Sequence, residues 1–243
     1  MKQKKVEQML LKFNHTPDSM TLNCRNKHFY IKKGPWKGRY LYDLYKKGTT
    51  PYSWHKKIFD YAKKKNILCF SSPFDKEAVR LLEKLKVKLY KVASFEINHI
   101  PLLEEIGKTK KPVILSTGMA EIQDVRLAIK TLKKNGTKDI ALLHCISSYP
   151  SLPQYYNLNF INKLKKFKLP VGLSDHTVGN IAATTSIGKG VKIFEKHLKL
   201  DQKNGIDSKF STDPNKFKKY VDNINLSFEC MGKENFKREK FEG

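Results

Sequence analysis

The chain has 243 residues, 40% of them apolar and 29% charged, with 14 Phe and 11 Tyr, which excludes a disordered chain and makes one domain over 1–243 the expectation. No apolar run approaches the ~20 residues of a membrane-spanning helix, and the start, MKQKKVEQMLLKF, lacks the uninterrupted apolar segment of a secretory signal, so a cytoplasmic protein is expected. The net charge of +25 would suit nucleic acid, but the lysines (Lys63 to Lys65, Lys133 and Lys134, Lys163, Lys165 and Lys166) are spread over polar helix faces; we expect a solvated surface compatible with an anionic small substrate.

In chain order, LLKF at 10–13 reads as a weak strand, 24–50 as a polar, aromatic-rich stretch and 51–65 as a helix. From residue 66 onward short β-rich runs alternate with amphipathic stretches. Strands are expected at 67–72, 88–94, 112–116, 140–145, 170–174 and 191–197, and helices at 75–85, 98–107, 121–135, 157–166, 179–189 and 214–228. This spacing fits an α/β fold of the (β/α)8 TIM-barrel type, incomplete at the N-terminus; a doubly wound open sheet shows the same alternation. Cys24, Cys69, Cys145 and Cys230 form no CxxC pair and suit reduced thiols without a role.

Polar residues gather where these strands end, the end at which α/β barrels build their sites. Ser174 and His176 share one face of their strand, and Ile193, Glu195 and His197 share one face of the next, so two imidazoles converge, with Asp207 in the following loop. That set suits a divalent cation; the alternative is a pair of core or capping histidines. Lys91 interrupts an apolar strand, with Ser72 and Ser116 expected at its sides. Together they make a phosphate cradle, unless Lys91 snorkels to solvent. STGM at 116–119 adds a glycine turn before a helix whose amides could also face an anion.

FSSPFD (70–75), KVASFEI (91–97), KPVILSTGMA (111–120), LLHCISSYP (142–150), VGLSDHTVG (171–179), FEKH (194–197) and GIDSKFS (205–211) together resemble the barrel domain of the sialic acid synthases. TPDSMTLNC (16–24) and LYDLYKKGTTPYSWH (41–55) look more like the pseudaminic acid synthase branch. The resemblance implies a carbon–carbon bond-forming transferase that condenses phosphoenolpyruvate with an open-chain acetamido sugar, makes a nonulosonic acid and releases phosphate. It implies manganese, with magnesium or cobalt as alternatives, held by His176 and His197. Ser72, Lys91, Ser94 and Ser116 would grip phosphoenolpyruvate, Ser147 and Tyr149 would lie near the sugar, and Ser174, Glu195 and Asp207 would surround the reacting centre. The family's opening E-I-G-x-N-H-x-G segment has no counterpart here, although Lys12 stands, across a one-residue gap, where the next strand carries a lysine. Nor has its C-terminal antifreeze-like domain, which completes the partner's site in homodimers. The expectation is therefore a truncated barrel, either a fragment of an active enzyme or a non-catalytic remnant that still binds phosphoenolpyruvate or sugar.

Overall fold

A computed structural model describes the backbone of residues 11–14 and all of 27–200 and 205–232. Among these residues, seven parallel strands alternate with eight α-helices. The strands are β1 (Leu11–Asn14), β2 (Cys69–Ser72), β3 (Tyr90–Val92), β4 (Val113–Ser116), β5 (Ile140–His144), β6 (Val171–Asp175) and β7 (Phe194–Lys196). The helices are α1 (Leu41–Gly48), α2 (Tyr52–Lys64), α3 (Lys76–Lys84), α4 (Ile100–Lys108), α5 (Ile122–Lys134), α6 (Ile161–Lys165), α7 (Ile181–Ile187) and α8 (Pro214–Cys230). Strands β3 to β7 pair in sequence order in one sheet, and β1 pairs with β2 in a second. Every pairing in the two sheets is parallel, and successive strands are joined through helices, as parallel pairing requires.

The strands are short and β-branched or apolar, and β2 and β3 are buried at every position. Burial on both faces is what a parallel sheet covered by helices demands. The core runs along one side of the strands, where Leu102, Leu103 and Ile106 of α4 and Val125, Ala128 and Leu132 of α5 meet Tyr90, Leu115 and Leu142. Each buried leucine there contributes on the order of 2–5 kcal/mol against truncation to alanine. Helix starts are set by side chains. Asp75 Oδ1 accepts from the Ala78 amide at 2.7 Å, and Asp213 Oδ1 from the Lys216 amide at 2.9 Å ahead of Pro214. Glu121 and Asp124 form a reciprocal capping box at the start of α5.

The expected elements are present with shifted ends, and three differences have physical causes. The stretch expected as strand 88–94 breaks after Val92, because Ser94–Glu96 winds into a 3-10 turn that carries Ser94 across the strand end. The expected helix 157–166 is a 3-10 turn, Leu158–Phe160, followed by the short α6. Helix α1 lies inside the polar, aromatic-rich stretch 24–50, to which the sequence assigns no element; only Leu44 is buried in it, so little of its apolar face marks it as a helix. The lysine runs at 63–65, 133–134 and 163–166 are exposed on helix faces, as expected of a solvated surface. Cys69 and Cys145 are buried free thiols and Cys230 is an exposed one, while Cys24 and the 16–24 motif lie outside the described residues. No described helix is long and apolar enough to cross a membrane.

Candidate active site

Strand alternation and parallel register bring the chemistry together. Lys91, at the centre of β3, pairs in register with Ile114 of β4, and Ser116 stands at the end of that strand. Lys91 is fully buried, which excludes snorkelling. Its ammonium donates to Ser116 Oγ at 2.6 Å and to the Val92 carbonyl at 2.9 Å, and lies 3.8 Å from Glu195 Oε2. Ser72 closes the same end from β2, and its buried hydroxyl has no hydrogen-bond partner among the described residues. Buried polar groups are ordinarily hydrogen-bonded, so this hydroxyl has the capacity to bond a polar ligand.

Ser94 Oγ accepts from the Gly118 amide at 3.2 Å and touches Cys145 Sγ at 3.0 Å. Cys145 therefore borders the cradle as a buried free thiol. Gly118 is required by space: a Cβ there would meet Ser147 Oγ, with Cys145 Sγ at 2.6 Å and Ser94 Oγ at 2.8 Å. The Ser147 hydroxyl is likewise buried without a partner among the described residues. The amides expected to face an anion at the start of α5 are otherwise engaged, because the Gly118 amide goes to Ser94 and the capping box occupies the helix end.

On the neighbouring strands, register pairs Ser174 with Glu195, and the Ser174 hydroxyl donates to Glu195 Oε1 at 2.7 Å. The His176 and His197 rings lie with centroids 5.4 Å apart. His176 Nδ1–H donates to the Ile146 carbonyl at 2.8 Å, which leaves the lone pair on Nε2, 3.3 Å from Ser174 Oγ. His197 Nδ1 is 3.6 Å from Asp207 Oδ2. A carbonyl behind one imidazole and a carboxylate beside the other are the supports a metal-binding histidine pair needs. No group of three or more His, Cys, Asp or Glu gathers as a ready-made cage among the described residues.

An aromatic wall flanks the histidines. The Tyr149 ring packs on His176 at 4.4 Å and on Phe210 at 4.8 Å, and Phe210 stands 5.1 Å from His197. Burial pushes the Tyr149 phenol up, and the negative charges around it, including Asp207 and Glu195, add to the shift, so it stays a hydrogen-bond donor. Trp36 closes the wall, 5.8 Å from Tyr149, with its indole donating to the Ile206 carbonyl at 3.1 Å.

All eleven residues singled out in the sequence thus lie in this strand-end region. Sequence reasoning missed Trp36, Phe210, Cys145, Tyr156 and the Asp175–Lys196 pair. Alternation signalled that Asp175 and Lys196 face away from Ser174 and Glu195; their partnership needed the register. Trp36 bonds a residue 170 positions away, which no local pattern encodes.

The sequence model of the NeuB family matches residues 5–236. The chain belongs to that family. It is 42% identical over 220 residues to pseudaminic acid synthase of Campylobacter jejuni, covering 90% of this chain and 64% of that protein. Identity to pseudaminic acid synthase of Helicobacter pylori is 40% over 222 residues, with 90% and 65% covered. The chain thus spans about two thirds of the length of these relatives. The crystal structure of N-acetylneuraminic acid synthetase from Leptospira borgpetersenii superposes with a TM-score of 0.81 at 28% identity, covering 96% of this chain and 77% of that one. The parallel, curled α/β architecture is therefore that of the NeuB-type synthases.

Proposed function

We propose that this NeuB family chain is a barrel of the (β/α)8 synthase type, incomplete at its N-terminal side, and condenses phosphoenolpyruvate with an open-chain acetamido sugar to a nonulosonic acid of the pseudaminic class. The observation that carries this is the meeting, at one set of strand ends, of a buried ammonium-and-hydroxyl cradle with a Ser174–Glu195–His176–His197 cluster, Glu195 Oε2 standing 3.8 Å from Lys91. Charge and hydrogen-bond chemistry assign the roles. Lys91, Ser116, Ser72 and Ser94 bind the phosphate and carboxylate of phosphoenolpyruvate, because a buried cation gains most from an anion in a dry site.

Ser147, protonated Tyr149 and the aromatic wall hold the sugar with its aldehyde toward the enol carbon. That carbon attacks the aldehyde carbon and the sugar oxygen takes a proton. Water then adds to the oxocarbenium centre and gives one proton to Glu195; the resulting hydroxyl passes its remaining proton to the departing phosphate as the carbon–oxygen bond to phosphate breaks and the ketone forms. Ser174 orients the Glu195 carboxylate, and Asp207 holds His197. A divalent ion held by His176 and His197, manganese or a close analogue, supplies Lewis-acid polarisation of the aldehyde oxygen when bound. The reaction belongs in the cytoplasm.

The test is a paired measurement of phosphate release and product mass with phosphoenolpyruvate, manganese and a panel of N-acetylated aminohexoses. Phosphate released in step with a product of combined carbon count is the expected result. Binding of phosphoenolpyruvate without turnover would make the chain a binding remnant; no binding at all would overturn the assignment of the cradle.

A further inference from the structure

Behind the histidines lies a second polar cluster, built on the buried side chains of Asp175 and Lys196, that the proposed chemistry does not use. Asp175 and Lys196 are the last residues of β6 and β7 and pair in register, so their side chains leave the sheet on the face opposite Ser174 and Glu195. Their side chains are 0% and 3% exposed, respectively. Lys196 Nζ donates to Asp175 Oδ2 at 3.0 Å, to the Thr177 carbonyl at 2.6 Å and to the Gly179 carbonyl at 3.2 Å. It also sits 5.1 Å above the Tyr220 ring of α8. Asp175 Oδ1 accepts from both the amide and the hydroxyl of Thr177, at 2.9 and 2.6 Å.

These bonds converge on one stretch of backbone, the four residues that follow Asp175 and include His176. On the near side, the Tyr156 hydroxyl donates to the Ser174 carbonyl at 2.6 Å and accepts from the His176 amide at 3.2 Å. His176 is therefore clamped before and after by groups that never reach the mouth. Lys196 is also the residue between Glu195 and His197, so whatever holds its ammonium fixes the exit of β7.

We infer that Asp175 and Lys196 are positioning residues: their buried ion pair locks the two strand ends together and so sets the separation and orientation of His176 and His197. The inference deepens the proposed function and rests on its reading of the two histidines. A pair kept only for stability would gain as much from an apolar substitute, since burying two charges costs about what their attraction returns. Here the ammonium is spent largely on carbonyls of the histidine-bearing loop.

The experiment compares long-range imidazole ¹H–¹⁵N spectra and manganese affinity in the wild type, Lys196→Met, Lys196→Arg and the double variant Asp175→Asn/Lys196→Met, which removes both buried charges at once. His176→Ala and His197→Ala assign the signals, and His55 of α2 serves as an internal reference. In Lys196→Met and the double variant, the His176 and His197 signals should shift or broaden by exchange while His55 stays. Manganese affinity should fall about 10–100-fold, the usual effect of losing support behind a ligand. Lys196→Arg, which keeps a donor cation, should restore part of both readouts.

Unchanged His176 and His197 signals in folded variants overturn the inference, and so does loss of the fold in the double variant, which would assign the pair to stability. Should the wild type bind no manganese, the metal reading fails, while the imidazole spectra still decide whether the pair positions the rings.

Discussion

Lys91 Nζ donates to Ser116 Oγ at 2.6 Å across two adjacent strands, with Lys91 fully buried and Ser116 only 3% exposed. The same ammonium lies 3.8 Å from Glu195 Oε2, so it is held by hydroxyl, carbonyl and carboxylate together.

Replacing the cation while keeping the stem therefore separates binding from folding. Lys91→Met should remain folded and lose at least tenfold in affinity for phosphoenolpyruvate, which saturation-transfer NMR can follow. Equal binding by variant and wild type would remove Lys91 from the cradle.

Gly118→Ala tests the cradle's shape instead of its charge. The added Cβ collides with the Ser94, Cys145 and Ser147 side chains, so one of them must move. We expect a stability cost of about 1–3 kcal/mol, as for other overpacked sites, and a larger proportional loss in phosphoenolpyruvate affinity, measured by calorimetry on the folded fraction.

The histidine pair predicts its own signature. His176→Ala and His197→Ala should each lower manganese affinity by tenfold or more in protein that retains its circular dichroism, because each removes one of two imidazole donors. Retention of full affinity in both variants would return the rings to a packing role.

Acid sensitivity should trace in part to His144, a buried ring at the end of β5. Burial pulls its imidazole below the usual value, outweighing the opposite pull of the Tyr156 carbonyl to which Nε2–H donates at 2.8 Å. The unfolded chain then binds the proton more readily than the folded one. The contribution is present above the unfolded value of about 6.5 and is lost as pH falls below it toward the folded value. Urea unfolding from pH 7.5 down to 5 should show His144→Gln with a shallower acid limb than wild type, by at most ~1.4 kcal/mol per pH unit for one proton. Identical slopes would exclude His144 as a contributor.

Away from the site, Asp75→Ala should cost about 1 kcal/mol, the usual worth of an N-cap, because the Ala78 amide loses its acceptor at the start of α3. Thermal unfolding measures it, and Asp75→Ser should recover most of the loss.

The amino-acid sequence by itself determined the βα alternation, the strand-end placement of Lys91, Ser116, Ser174, Glu195, His176 and His197, and the family motifs. All three are local or periodic properties: a strand exposes alternate side chains, and turn and cap residues announce where it stops. The tertiary structure alone decided which side chains touch. The parallel register pairs Ser174 with Glu195 and Asp175 with Lys196, and one residue's slip would have exchanged the two faces. It also brought Trp36 against Tyr149, 113 positions along the chain, because loops at the strand ends close over the site from both halves of the sequence. Likewise it moved Ser94 out of its expected strand and into the cradle, where the Gly118 amide holds it. Periodicity carries no information on such contacts, since their energy comes from the shape of a surface that exists only once the strands have paired.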